Sequence, residues 1–348
     1  MIVQRFIREQ PDLVKRMLAS GFADFQDLLP NWSADRIYLV GTGSSKNAIL
    51  GAVSCFAGQN AHVSIHSPME FLQLNNPVST NRVICIVVSQ SGESIDTNTA
   101  TRLMLKAGAH VIAVTAGKDS PLADLNPKLL ILPVEDETIG PKTKGFFATL
   151  IALHLLGNAL SKRSIEVDRI AAADEVAVFT ETANDWARGV SSTLAECDVV
   201  VVVGQGSHVG TALEGSLKIA EMSGVPCFGL ETEEASHGRF HCITDRSAVI
   251  FIASTETEME FAQRLRSALN QFDLTSYIVD LTGAAKPSPD VDLRWTGNIK
   301  GFPVEVLAGV IPFQLLAVHM AEARGIVPEK MRYPDMGKYL GIKVGKTV

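Results

Sequence analysis

Three serines, a glutamine and a glycine fall within one six-residue run, Ser89-Gln90-Ser91-Gly92-Glu93-Ser94. Ahead of it, Ile84–Val88 reads as a buried strand; behind it runs a helix with Met104 and Leu105 on its apolar side. A junction of strand, polar loop and helix leaves backbone N–H groups unpaired and sets the positive end of the helix dipole beside the hydroxyls. Such a junction holds an anion without using a cationic side chain, so a phosphorylated small molecule is the expected ligand. A second set of reactive groups comes later. Glu214, Lys218 and Glu221 stand at i, i+4 and i+7 on one face of a predicted helix whose other face, Leu213, Leu217 and Ala220, is apolar. A carboxylate there suits moving a proton between neighbouring carbons. The plainer reading of that spacing is a solvated face with an intrahelical ion pair. His237 and His241, four apart with Glu231, Glu233 and Glu234 nearby, suggest a metal, but Gly238 makes the segment a loop and no metal site is expected.

The elements that carry these groups recur. Arg36–Val40 leads into Gly41-Thr42-Gly43-Ser44-Ser45 and a helix, and Asp198–Val203 leads into Gly204-Gln205-Gly206-Ser207 and a helix. Gly41 against Gly204, Ser89 against Ser254 and Thr115 against Thr282 give offsets of 163, 165 and 167, which argue for an internal duplication. Each half alternates strands with helices, so the fold class is α/β: two doubly wound, largely parallel sheets flanked by helices. The expected division is a helical arm over 1–30, a first domain over 31–165, a bridging helix over 166–195, a second domain over 196–325 and a tail over 326–348 that covers the site. The second copy of the serine loop, Ser254-Thr255-Glu256-Thr257-Glu258, has lost its glycine and gained a carboxylate. Carboxylates at a helix N-terminus satisfy the dipole and repel phosphate, so one phosphate site per chain is expected, in the first half.

A chain of 348 residues, 46% hydrophobic and 20% charged, is long enough for two cored domains and is not disordered. Aromatics are sparse at 6% and no basic stripe interleaves with them, so no nucleic-acid partner is expected. The net charge of −7 does not oppose one locally held anion. Five scattered cysteines without a CxxC read as free thiols in a reducing, cytoplasmic setting. The N-terminus does not read as a signal peptide, and no apolar run is expected to reach membrane-spanning length, so no membrane partner is expected.

With GTGSS and SQSGESIDT in place, the chain resembles tandem sugar-isomerase (SIS) domains, as in the isomerase module of glucosamine-6-phosphate synthase and stand-alone deglycases, deaminases and ketose/aldose isomerases. Ala212–Glu221 looks like that module's catalytic helix, Ser236-His237-Gly238 like its histidine loop and Met336-Gly337-Lys338 like its tail. The resemblance implies a phosphate cradle of Ser45, Ser89, Gln90, Ser91 and Ser94. It implies Glu221 as the base between C1 and C2, His237 as the ring-opening residue supplied by a neighbouring subunit, and Lys338 near the anomeric oxygen. Gly43, Ser44, Lys142, Glu214, Glu234 and Arg239 are further candidate contacts. Glu233 and Arg239 replace the family's usual glycine and proline, and Lys142 replaces a small polar residue, which places charge at the sugar end. Ile2 stands where a glutaminase would need its cysteine, so glutamine-derived ammonia is not expected. The implied function is amine release from a 6-phosphorylated amino sugar or sugar–amino-acid adduct, without metal or organic cofactor, by a homodimer or tetramer with shared sites. The alternatives are a ketose/aldose phosphate isomerase and, in another class, a sugar-phosphate sensor. The first 35 residues leave no room for a DNA-binding helix-turn-helix.

Overall fold

The structure is a computed structural model. It describes residues 1–19, 22–57, 60–74, 77–78, 80–135, 137, 139–284 and 290–343. The last five residues of the expected tail therefore lie outside the described residues. Two compact units are present.

Two short helices open the chain, α1 (Ile2–Arg8) and α2 (Gln10–Met17). The first sheet's unit, residues 19–138, 144–165 and from Tyr333 onward, then begins. It contains β1 (Arg36–Val40), α3 (Ser44–Ala52), β2 (His62–His66), α4 (Pro68–Leu72), β3 (Val83–Val88), α5 (Ile95–Lys106), β4 (His110–Thr115), β5 (Lys128–Ile131) and α6 (Lys144–Leu160). All strand pairs are parallel and the order is β2-β1-β3-β4-β5. Strand β3 is buried along its whole length, which is why it is a continuous Val/Ile/Cys run with no polar alternation. Val83, Cys85 and Val87 pack with Tyr38, Val40, Val111 and Ala113, and Ala100 and Met104 of α5 close over them.

The second sheet's unit holds residues 1–18, 139–143 and 166–332. Its elements are α7 (Arg169–Ala195), β6 (Val199–Gly204), α8 (His208–Ser223), β7 (Cys227–Glu231), α9 (Thr232–Ser236), β8 (Ser247–Ala253), α10 (Glu256–Asn270), β9 (Thr275–Asp280), β10 (Leu293–Arg294), α11 (Val304–Ala308) and α12 (Ile311–Ala323). This sheet is parallel too, and read from its other edge its order is β7-β6-β8-β9-β10, the same winding as the first. In both halves an aspartate just before the first strand pairs with an arginine just before the third: Asp35 with Arg82 and Asp198 with Arg246.

Three expectations need adjusting. The expected N-terminal arm does not stand apart, because its helices are buried at Val3, Phe6, Ile7, Leu13 and Val14. α2 packs on α7 and α1 on α12, and Gln10 donates to the Gln314 side-chain carbonyl at 2.7 Å inside the core. α7 likewise packs within this unit, against α12 and α2. One stretch, Val304–Ala323, does reach membrane-spanning length and apolarity, contrary to the sequence reading. It consists of α11 and α12, is almost wholly buried, and supplies the core against which α7 and α8 pack.

Candidate active site

In an open parallel sheet, ligands lie off the carboxyl ends of the strands where the winding reverses. In the first sheet that place is between β1 and β3, which are adjacent and in register from Arg36 against Val83 to Val40 against Val87. Both chains therefore leave the sheet level with one another, and the turns carrying GTGSS and SQSGES start side by side. Gly43 caps α3 with φ +56°, a conformation that favours glycine, and turns Ser44 and Ser45, both half-buried, into the first turn of the helix.

The SQSGES loop is tied down residue by residue. Ser89 is buried and its N–H extends the ladder to the Val114 carbonyl. The Gln90 carbonyl accepts from the N–H groups of Ala116 and Gly117 and from the Thr115 hydroxyl. Gly92 has φ +69°, and a β-carbon there would come within 2.2 Å of the Ser120 hydroxyl. Ser91 is exposed. Ser94 is the N-cap of α5: its hydroxyl accepts from the Thr97 N–H and, at 2.9 Å, from the Thr97 hydroxyl, which leaves its own hydrogen to donate. All five proposed phosphate contacts thus sit on the two adjacent turns.

The C-terminal tail reaches the same place. A one-turn helix, α13 (Met336–Tyr339), carries Lys338, which is exposed. Beyond it the Ile342 carbonyl accepts from the Ile95 N–H at the start of α5, and Lys343 bridges antiparallel to Ser94. The tail is therefore anchored to the cradle loop and not frayed at that point. Sequence reasoning had no local signal for these two residues.

In the second unit, α8 departs from the solvated-face reading of its charges. Glu214 is 0% exposed and Lys218 1%, while Glu221 is 22% exposed. Lys218 Nζ lies 3.5 Å from Glu214 Oε1 and 2.5 Å from Glu221 Oε2. Burial works against the ammonium, but the two carboxylates outweigh it and raise the Lys218 pKa above its ordinary value. Lys218, which the spacing had noted without giving it a part, is thus the centre of the row. Close packing encloses it: a β-carbon on Gly215 would meet the Phe313 ring of α12 at 2.7 Å.

The histidine segment is more ordered than the loop expected from Gly238. Glu231 is the N-cap of the one-turn helix α9, accepting from the N–H groups of Glu233 and Glu234. His237 is its C-cap, exposed, and Gly238 at φ +101° breaks the chain before Arg239. His237 and His241 therefore do not share a helix face. Among the described residues, the side chains of Glu233, Glu234, His237 and Arg239 have no hydrogen-bond or ion-pair partner, and no group of three or more His, Cys, Asp or Glu is placed to hold a metal. Among the described residues, no hydrogen bond or ion pair joins the His237 side chain to the α8 row. Lys142 is half-buried on the 139–143 segment. His208, next to the second glycine turn, is buried, donates or accepts at Thr211 Oγ1, and is pushed down to about 4 by burial.

The degenerate second copy is filled by its own side chain. Glu258 Oε2 accepts from the Ser254 N–H at 2.8 Å and the Ser254 hydroxyl at 2.9 Å. A carboxylate thus occupies the Ser254 hydroxyl, whose first-half counterpart is the Ser89 hydroxyl of the SQSGES loop; the Ser254 N–H differs, since the Ser89 N–H is taken by Val114.

The SIS domain family matches residues 32–159 and 193–283. The isomerizing glutamine–fructose-6-phosphate aminotransferase of Chlorobaculum tepidum is 28% identical over an alignment covering 94% of this chain and 56% of the relative. The chain spans about half the length of the curated relatives it matches. Two solved structures share the fold. Glucosamine-6-phosphate deaminase from Thermotoga maritima has a TM-score of 0.78 at 21% identity, covering 96% of this chain and 98% of that one. Tagatose-6-phosphate ketose/aldose isomerase from Escherichia coli has 0.75 at 18%, covering 94% of each.

Proposed function

The chain belongs to the SIS domain family, and from that premise we propose that it is a phosphosugar-processing enzyme releasing an amine from a 6-phosphorylated amino sugar or sugar–amino-acid adduct. The buried Glu214–Lys218–Glu221 row carries the reading. Burying one ammonium between two carboxylates is costly, and apolar residues of similar size would hold α8 at least as well. Groups kept at such cost are characteristic of chemistry. Glu221 is the one member of the row that reaches solvent, and Lys218 fixes its Oε2. Its other oxygen is left to accept a proton from C1 of an open-chain ketoamine and return it to C2. The ketoamine thereby becomes an imine; water adds at C1 and the amine leaves with a hexose 6-phosphate. The C2 carbonyl of the open-chain ketoamine is the electron sink as the C1 proton leaves, so the reaction calls for no metal or organic cofactor.

The phosphate is assigned to Ser45, Ser89, Gln90, Ser91 and Ser94, with Lys338 near the anomeric oxygen. Glu233, Glu234 and Arg239 offer charges of both signs to an amino-acid moiety, which favours an adduct over a plain ketose phosphate. His237, exposed and without a hydrogen-bond or ion-pair partner among the described residues, is assigned to ring opening in a neighbouring subunit's site of a homodimer or tetramer. The test incubates the protein with 6-phosphorylated fructosamine adducts, glucosamine 6-phosphate and fructose 6-phosphate, and follows amine release and ketose–aldose conversion. Amine release is expected, reduced about a thousandfold by Glu221→Gln. Mixing inactive Glu221→Gln with inactive His237→Ala chains is expected to restore part of it. Conversion without amine release would make the protein an isomerase, and phosphosugar binding without turnover would make it a sensor.

A further inference from the structure

Glu137 lies outside every residue set considered so far, yet it is 0% exposed and meets the cradle. Its Oε1 accepts from the Lys144 N–H at 3.0 Å and its Oε2 from the Gly145 N–H at 2.7 Å, so the carboxylate caps the N-terminus of α6. Oε2 also accepts from Gln90 Nε2 at 3.3 Å. Three donors and the helix dipole offset the cost of burying the charge. Gly145 leaves the room: a β-carbon there would lie 1.8 Å from Gln90 Nε2.

We propose that Glu137 is a positioning residue for phosphate binding, acting through the side-chain amide of Gln90; the proposal rests on the phosphate reading given above. Gln90's carbonyl is pinned by three donors, so the freedom that remains to the residue is in its side chain. A terminal amide has two nearly isosteric orientations, with opposite hydrogen-bonding character at each end. A carboxylate only accepts, so it faces the NH2 end and never the oxygen. Glu137 therefore selects one orientation and leaves the second N–H and the amide oxygen of Gln90 at fixed places. A glutamine at 137 both donates and accepts, and would admit either orientation.

The test measures binding of D-glucitol 6-phosphate, an open-chain ester that cannot be turned over, by calorimetry on the full chain, with D-glucitol as control and thermal unfolding alongside. Gln90→Ala is expected to weaken binding about tenfold and Glu137→Gln about five- to tenfold, each raising Kd by up to about 1.4 kcal/mol in free-energy terms. The double variant is expected to bind no worse than Gln90→Ala alone, because the effect of Glu137 passes through Gln90. Should Glu137→Gln not fold, Glu137→Asp carries the same cycle by withdrawing the acceptor from Gln90. Unchanged Kd in the Glu137 variants, or losses that add in full to that of Gln90→Ala, would overturn the proposal while leaving the phosphate site standing. If Ser89→Ala, Ser91→Ala and Gln90→Ala also bind as the parent does, the cradle itself and this proposal fall together.

Discussion

Lys218 shows how much a single residue depends on its company. Without it, two carboxylates would face each other on α8, one of them fully enclosed. Lys218→Met is expected to cost about 3–5 kcal/mol, the range for breaking a buried ion pair by removing one partner. Urea unfolding checks this, with Glu214→Gln added to recover part of the loss. The pH dependence has a definite sign. Because the native pKa is raised, the lysine's contribution is complete below its unfolded value of about 10.4 and fades as pH climbs through the higher native value. The i, i+4, i+7 spacing was visible in the sequence, but burial was not, since the groups enclosing α8 come from α12 and from strands β6 and β7. Glu137 was less legible still. It follows Glu135 in a charged stretch that reads as solvated, and its significance comes from Gln90, 47 positions earlier.

Among the elements, α6 is one whose first turn is fitted to a neighbouring loop. Gly→Ala near a helix start ordinarily stabilises by up to about 1 kcal/mol, through helix propensity and a less free unfolded chain. Gly145→Ala is expected to do the reverse, lowering Tm and weakening glucitol 6-phosphate binding at least tenfold, because its β-carbon would displace Gln90. A raised Tm with unchanged Kd would show that the loop yields freely. Strands were legible in sequence across the first sheet, its edges β2 and β5 included, and over β6, β8 and β9 of the second; plainest were the central β1, β3, β4, β6 and β8, whose Val/Ile runs follow from burial on both faces. The second sheet's edges were harder. β7 is interrupted by Gly229, which is required because the α8 backbone passes 2.6 Å from where its β-carbon would be. β10 has two residues, too few for any periodic signal.

For the whole molecule, acid is the informative stress. His154 lies in the first unit and His208 in the second; both are completely buried, and burial pushes each down to about 4. The unfolded chain takes up these protons near pH 6.5, before the native one does, so stability present above that pH is lost as pH falls toward 4. Each histidine is expected to remove about 3 kcal/mol by pH 4. Tm measured from pH 7 to 4 should fall steeply, with His154→Asn and His208→Asn each flattening the slope; an unchanged slope would mean these rings are protonated in the native state. The common winding of the two sheets was readable from the three landmark offsets, because glycine turns and strand ends are fixed by backbone geometry. The difference between the two copies was legible too, in the lost glycine and added carboxylate of Ser254–Glu258; the coordinates add that Glu258 is the carboxylate that meets Ser254. Glu258 sits on its own loop's donors as a ligand that cannot diffuse away, and a group tethered so closely acts at an effective concentration on the order of millimolar or more. A free phosphate ester is expected to compete with it at every encounter, so the second turn is expected to behave as a site already filled, its occupancy set by covalent connection and not by metabolite supply.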